Sequence, residues 1–391
     1  MRALGSGRSV FATIQLFFGN GLVMGAYAAS LATFKAHFEL EAWQIAAQLF
    51  IAGIGSITAM QIGGRLADNY GARRIALVMI LPLPIASLWF ALSPTWEWLL
   101  PGCFVFGIGN GGLDIVMNAL AVHVEKNRPK PLMSFFHGMW AVGNLVGAAS
   151  VPFVADAFRL APYLTMKYVF FACAAFGVAL LISAWAVTPE TPRVEHVDKS
   201  GEKLPIPKAA WMLGLMAIAF GLGEGTASDW SAIHVTTVAA VDPTTGALAV
   251  TAMSSCMVII RLLGDFLVSL IGRRNLVRLG GCVAVIGYLT VSTQSAFPVL
   301  LAGWALVGLG MGVVAPQVYA IAGHSAGGRG LAVVVTFGYA TFLLAPAVMG
   351  AIVSAIGVQH TMFVPAVLLV GLVVLASTLP KREDDPSLQS A

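Results

Sequence analysis

The chain alternates long apolar runs with short polar connections. Each run approaches the roughly 20 residues that a helix needs to cross the hydrocarbon core of a bilayer. The pattern therefore predicts an all-α integral membrane protein with twelve transmembrane helices in two six-helix bundles. The predicted spans are 10–33, 43–65, 75–92, 98–123, 133–155, 165–188, 209–235, 246–268, 276–293, 298–321, 331–356 and 361–379.

One connection is longer and more polar than the others. It contains Pro189, Pro192 and Pro205 and divides the predicted helices six and six. We therefore predict an N-terminal bundle, a cytoplasmic linker, a C-terminal bundle and a disordered cytoplasmic tail. Their ranges are 1–188, 189–207, 208–380 and 381–391.

Composition supports the membrane assignment and excludes several other classes. Hydrophobic residues make up 58% of the chain and charged residues 10%, against about 25% charged in a soluble domain. A chain with so few charged residues cannot form the polar surface of a soluble enzyme or the basic surface of a nucleic-acid-binding domain. The four cysteines lie far apart in apolar runs, and neither metal-ligand spacing nor a phosphate-binding loop occurs, so we expect no metal and no cofactor.

The distribution of lysine and arginine predicts the orientation. With a cytoplasmic N-terminus, only Lys35, Arg159 and Lys167 face the opposite side, out of 22 basic residues. The positive-inside rule therefore places both termini in the cytoplasm.

The two predicted bundles resemble each other in sequence. Gly107, Gly109 and Gly111 are matched 201 residues later by Gly308, Gly310 and Gly312. Gly71 before two basic residues is matched by Gly272 at the same offset. A constant offset predicts two repeats that face each other around a shared site, and the glycines would permit sliding contacts as the repeats rock.

The connection between the second and third spans carries a recognisable motif. Residues 64–74 read GRLADNYGARR, which is similar to the G-x-L-x-D-x-x-G-x-[RK]-[RK] signature of the major facilitator superfamily. A looser second copy comprises Arg261, Asp265 and Arg273. The chain resembles this family throughout its length. The resemblance implies a transporter of the bacterial inner membrane that works by alternating access, and not an enzyme.

The motif has a physical interpretation of its own. Gly71 permits a tight turn, and Asp68 ends the second span, where Arg73 and Arg74 can pair with it or with a neighbouring helix end. The alternative is that the arginines are only cytoplasmic anchors. The predicted conformational gate comprises Gly64, Asp68, Gly71, Arg73, Arg74, Arg261, Asp265 and Arg273.

Acids inside apolar spans are costly and usually functional. Asp114 and Glu224 fall near mid-depth on predicted helices 4 and 7, and Asp229 lies nearer the outer end. No lysine or arginine is expected near mid-membrane, so these carboxylates are predicted to lack a permanent ionic partner and to carry protons. The alternative is a structural role in pairing or hydrogen bonding. His137 is a weaker proton-coupling candidate, or a packing residue.

The resemblance implies a central cavity lined by predicted helices 1, 4, 7 and 10. Amides and aromatic side chains on these helices suggest a neutral, hydroxyl-rich solute. The alternative is interhelical hydrogen bonding, and for Tyr27 and Trp230 an interfacial aromatic belt. The predicted substrate-binding residues are Gln15, Asn20, Tyr27, Asn110, Asn118, Trp230, Gln317 and Tyr319.

Three functions remain open from sequence. The first is proton symport of a neutral polar metabolite such as a sugar, because the chain resembles the branch that includes fucose permease relatives. The second is proton-driven export of an amphiphilic or cationic compound, and the third is a membrane sensor or scaffold that does not transport. The expected partners are a small-molecule substrate, protons and the bilayer, with no nucleic acid, and we expect a monomer.

Overall fold

The computed structural model describes residues 6–125, 127–128, 132–189, 208–325 and 327–379. All regular structure in these ranges is helical, as the sequence predicts. The helices are α1 Gly7–His37, α2 Ala42–Tyr70, α3 Ala72–Ile80, α4 Pro82–Leu92, α5 Trp96–Glu125, α6 Met133–Phe158, α7 Pro162–Val187, α8 Lys208–Val238, α9 Pro243–Gly246, α10 Leu248–Thr293, α11 Phe297–Ser325, α12 Gly327–Thr361 and α13 Phe363–Leu375, followed by a 3₁₀ turn at Ala376–Thr378.

The prediction of a twelve-helix membrane protein is confirmed. Eleven helical segments of the described chain are long and apolar enough to cross a membrane, and Phe363–Thr378 forms a shorter apolar helix. One predicted span, 75–92, is divided into α3 and α4 just before Pro82, which starts the second helix. The predicted linker beyond Pro189 and the predicted tail lie outside the described residues.

Two glycines make the same turn in the two halves of the chain. Gly71 has φ 89° between α2 and α3, and Gly272 has φ 76° within α10. Both lie in the region of positive φ that favours glycine. The turn at Gly272 divides α10 into two predicted spans, so the motif and its looser second copy produce equivalent backbone corners before their arginines.

The chain divides into two compact units, Met1–Lys199 and Ser200–Ala391. In the first unit, α1 packs chiefly on α6 and α2 on α5. In the second unit, α8 packs chiefly on α12 and α10 on α11. The same order of helix pairing therefore appears in both halves, which is the structural counterpart of the internal sequence repeat.

The glycine pattern serves packing inside each unit. A Cβ added to Gly107 would lie 1.9 Å from the carbonyl oxygen of Ala52, and one added to Gly308 would lie 2.1 Å from that of Met253. Gly25 is equally tight against the Asn144 carbonyl, at 1.9 Å. These glycines let paired helices approach until their backbones touch. The close contacts of these three glycines are all with helices of the same unit. They therefore explain why glycine is required here without the predicted sliding between the repeats.

Asp242 begins the second unit's second membrane crossing. Its carboxylate accepts hydrogen bonds from the backbone N–H groups of Thr244 and Thr245, at 2.9 and 3.1 Å, and from both threonine hydroxyls. Pro243 occupies the first helical position. This is a helix cap of the kind that satisfies N–H groups left without intrahelical acceptors.

Candidate functional site

An ion pair lies inside the second unit, within the predicted membrane spans. Arg261 on α10 donates from Nη2 to Oε1 of Glu224 on α8, at 2.9 Å. The two side chains keep only 18% and 17% of their surface exposed. Charged groups at membrane depth do not face lipid. We therefore assign the exposed part of the pair to contact with water or a polar solute and not with lipid.

This pair corrects the expectation that no basic residue lies near the acids. Arg261 falls within the predicted span 246–268, but it was predicted only as part of the second gate motif. The sequence contained the signal, an arginine well inside an apolar run, but it did not show which acid the guanidinium would meet. A cationic side chain at this depth also weakens the expectation of a strictly neutral cargo, since a guanidinium group can bind an anion.

A backbone carbonyl and two tyrosines lie near the pair. Nε of Arg261 points to the carbonyl oxygen of Gly312 on α11 at 3.4 Å. Tyr288 lies fully buried and donates its hydroxyl proton to the Gly223 carbonyl at 2.5 Å. Tyr319 packs edge-on against Phe220 with 5.4 Å between ring centroids.

Tyr288 and Tyr319 both lie within electrostatic range of Glu224. The site therefore combines groups from α8, α10 and α11. Tyr319 was a predicted substrate-binding residue, whereas Tyr288 was missed because nothing in the sequence distinguishes it from an ordinary core aromatic residue.

A second carboxylate, in the first unit, has an amide partner. Nδ2 of Asn118 donates to the carbonyl oxygen of Asp114 at 2.8 Å and to its Oδ1 at 3.3 Å. The two residues are four apart on α5, as their predicted common face requires. Both side chains and that of Asn110 are half-buried, so a polar stripe is present on α5.

The remaining acid, Asp229, is half-buried five residues beyond Glu224 on the same helix. Trp230 next to it is fully buried, and within the described residues its indole N–H has no hydrogen-bond acceptor. A histidine that was not predicted as a site residue lies one helical turn further along α8. His234 is fully buried, with Nε2 3.1 Å from the carbonyl oxygen of Val291 and its ring edge-on to Trp304 at 5.5 Å.

Three predicted substrate-binding residues of α1 make contacts within the first unit. Asn20 is 2% exposed, donates to the carbonyl of Asn110 at 3.1 Å and accepts from Nε1 of Trp140 at 2.8 Å. Gln15 accepts from the Ser183 hydroxyl at 2.8 Å. These contacts match the alternative of interhelical hydrogen bonding.

Tyr27, the third of these residues, is also interior. It is 2% exposed, and its ring lies 4.7 Å from Phe106 and 5.2 Å from Phe90, measured between centroids. Its hydroxyl is 3.6 Å from Sγ of Cys103. Neither an aromatic belt nor direct substrate contact fits this position, because the neighbouring helices α4 and α5 cover the ring.

The gate residues make contacts with helix ends and with predicted binding residues. Nη2 of Arg73 donates to the carbonyl oxygen of Trp185 in the last turn of α7, at 2.9 Å. Contact with a neighbouring helix end was one of the two pairings that the sequence predicted for this arginine. Arg74 is exposed. Nη1 of Arg273 donates to Oε1 of Gln317, which joins a predicted gate residue to a predicted binding residue.

The side-chain surroundings of Gly64, Asp68 and Asp265 lie outside the described part of the structure.

His137 is exposed near the start of α6, edge-on to Phe17 with 5.2 Å between ring centroids. Among the described residues, no group of three His, Cys, Asp or Glu side chains could hold a metal ion.

Comparison with known proteins gives the family. The sequence model of the Major Facilitator Superfamily matches residues 11–233 and 212–391. The transporter y4wD of Sinorhizobium fredii is 30% identical over 93% of this chain and 96% of its own length. The membrane protein MosC of Rhizobium meliloti is 27% identical over 93% of this chain and 88% of its own.

The fold is also found among solved structures. A point mutant of the nucleoside transporter NupG superposes with a TM-score of 0.76 at 12% identity, over 94% of this chain and 98% of that one. Twelve apolar helices, a repeated glycine corner and the match to the family along nearly the whole sequence agree with one another. The chain belongs to the major facilitator superfamily and is a membrane transporter.

Proposed function

We propose that the protein is a proton-coupled symporter of a small polar metabolite, and that Glu224 is the group that binds the proton. The ion pair between Glu224 and Arg261 is the observation that carries this proposal. A carboxylate at membrane depth is stable only while it is neutralised by a partner or by a proton. The pair therefore gives Glu224 two states, one bound to Arg261 and one protonated.

Alternating access couples these states to transport. A proton that reaches Glu224 from outside removes its negative charge and weakens its bond to Arg261, so the helices α8 and α10 lose a charged contact between them. A conformational change that exposes the site to the cytoplasm then lets the proton leave, and the pair reforms. Only a difference in free energy between the two conformations can drive such a change, and the ion pair supplies one.

Asp114 and Asn118 give the first unit a polar site of its own. Within that unit, the Asn118 amide hydrogen-bonds the Asp114 carboxylate. The fold similarity to a nucleoside transporter is consistent with a polar cargo of metabolite size. An exporter of cationic compounds is less compatible with the site, because the positive charge of Arg261 would repel such a cargo.

Transport into proteoliposomes tests the proposal. Vesicles carrying the protein are loaded at pH 7.5, diluted into buffer at pH 6.0, and supplied with radiolabelled sugars, nucleosides and organic acids. We expect accumulation of a polar solute that a protonophore abolishes. Glu224→Gln should abolish accumulation, while exchange of unlabelled for labelled solute persists.

Glu97→Gln is the matched control, since Glu97 is an acid in the first turn of α5 that makes no part of the site. Proton-driven accumulation that survives in Glu224→Gln would disprove the role of Glu224. Solute efflux driven by the same gradient would show an exporter instead.

A further inference from the structure

The position of Arg261 points to the chemical class of the cargo. We propose that the substrate is an organic anion whose carboxylate replaces Glu224 as the partner of Arg261. This inference rests on the proposed proton coupling at Glu224, and it replaces the neutral sugar expected from sequence with a small monocarboxylate.

The guanidinium group has donors to spare. An arginine presents five N–H groups in a planar fork that matches a carboxylate. Glu224 takes one bond from Nη2, and the contact of Nε with the Gly312 carbonyl is long, at 3.4 Å. The side chain also retains 18% of its surface exposed. A second carboxylate can therefore reach the fork without removing the helix contact to Gly312.

Charge balance requires a replacement anion. Protonation of Glu224 leaves Arg261 as an unpaired cation at membrane depth, which is strongly unfavourable. A substrate carboxylate that arrives with the proton restores one positive and one negative charge in the site. One H⁺ adds to the Glu224 carboxylate, and the freed guanidinium forms its ion pair with the substrate, so one proton and one anion move together and no net charge is transported.

The other ionisable groups around Glu224 do not supply this balance. On α10 and α11, Tyr288 and Tyr319 lie within electrostatic range of it, and both are uncharged hydrogen-bonding groups near neutral pH. Asp229, five residues further along α8, is an acid and supplies no positive charge. α9 and α13 contain no ionisable residue, and the described ionisable side chains of α12 are Tyr339 and His360. Among the described side chains that bond to Glu224, Arg261 is thus the one that offers a positive charge to an anionic substrate.

Binding to the purified full-length protein tests the inference with probes that differ only in charge. The matched pairs are benzoate and benzamide, and nicotinate and nicotinamide. Thermal stabilisation reports binding, because a ligand specific for the folded state raises its melting temperature. We expect at least one carboxylate to bind and its neutral counterpart to bind at least tenfold more weakly.

The dependence on Arg261 and on pH gives two further readouts. Arg261→Met should weaken carboxylate binding by roughly tenfold to a hundredfold, the cost of losing hydrogen bonds to a charged group, and Arg261→Lys by less. The affinity of the wild type should rise by up to tenfold for each pH unit of acidification while one proton is taken up per anion bound. Glu224→Gln should bind the carboxylate with no such pH dependence.

The double variant Glu224→Gln with Arg261→Met keeps the test informative if Arg261→Met alone does not fold, because it leaves no unpaired charge. We expect this variant to have lost discrimination between a carboxylate and its neutral partner. Equal binding of both members of every pair by the wild type, or no binding by any carboxylate, would overturn the inference. Proton-driven uptake of a neutral solute, blocked in Glu224→Gln, would overturn it while leaving the proposed function in place.

Discussion

Replacement of Gly107 by alanine tests how tightly the membrane helices are fitted within a unit. Gly107 lies where α5 crosses α2, and its new Cβ would lie 1.9 Å from the carbonyl oxygen of Ala52. The Gly107 carbonyl also accepts a hydrogen bond from the Ser56 hydroxyl across the same interface, at 3.0 Å. The obstructing atom belongs to the backbone, so no side chain can rotate to make room.

The size of the effect follows from the geometry. Cβ atoms essentially never approach another heavy atom within 3.0 Å, so the two helices must separate by about 1 Å. A gap of that size removes a quarter to a half of the dispersion energy of each atom pair along the contact. Overpacking of this kind costs about 1–3 kcal/mol even where side chains can adjust. Since backbone must move here, we expect about 2–4 kcal/mol of destabilisation.

Thermal unfolding in detergent, followed by tryptophan fluorescence, measures the change. Gly308→Ala is the equivalent substitution in the second unit, at 2.1 Å from the Met253 carbonyl, and should be similarly destabilising. Gly371→Ala is the matched control, since nothing lies within 4 Å of its added Cβ, and its melting temperature should stay at the wild-type value. If Gly107→Ala has the same melting temperature as this control, α2 and α5 do not approach as closely as the structure shows.

Three smaller changes test other contacts. Arg73→Gln should lose about 1 kcal/mol of stability by removing a charge-assisted bond to the end of α7, whereas exposed Arg74→Gln should have little effect in the same melting assay. Asn20→Leu should cost about 1–3 kcal/mol, because it leaves the Trp140 indole N–H without its acceptor and removes the amide bond to the Asn110 carbonyl, and an unchanged melting temperature would contradict the bridging role. Burial by itself would raise the pKa of Asp242, but hydrogen bonds from the two threonines that follow it hold that pKa below its ordinary value. Its stabilisation is therefore present above the unfolded-state pKa and is lost as pH falls, and Asp242→Asn should flatten this acid-side loss in a pH series of melts.

Much of the architecture could be predicted from sequence, because a bilayer imposes a simple rule. Each span must satisfy its own backbone hydrogen bonds and present apolar side chains, so length and hydropathy suffice to identify it. The repeat was visible for a similar reason. Gly71 and Gly272 occupy a backbone conformation that favours glycine, and the residue type therefore reports the corner directly.

The partners of the polar side chains could not be predicted in the same way. Hydropathy identifies Glu224 and Arg261 as unusual within their spans, but it does not report that helices distant in sequence bring them to 2.9 Å. Asn20 and Asp114 look alike in sequence, as polar residues on adjacent inner helices. The tertiary structure buries the amide in a bridge to Trp140 and leaves the carboxylate half-buried beside Asn118.

The sequence by itself determined the membrane class, the twelve helices, the repeat and the family, because each of these depends on local composition or on spacing along one helix. The tertiary structure alone decided which acid has a cation and which amides are structural. Those outcomes depend on helix rotation and crossing, which a periodicity of 3.6 residues does not encode, and they are the basis on which we propose an anionic cargo in place of a neutral one.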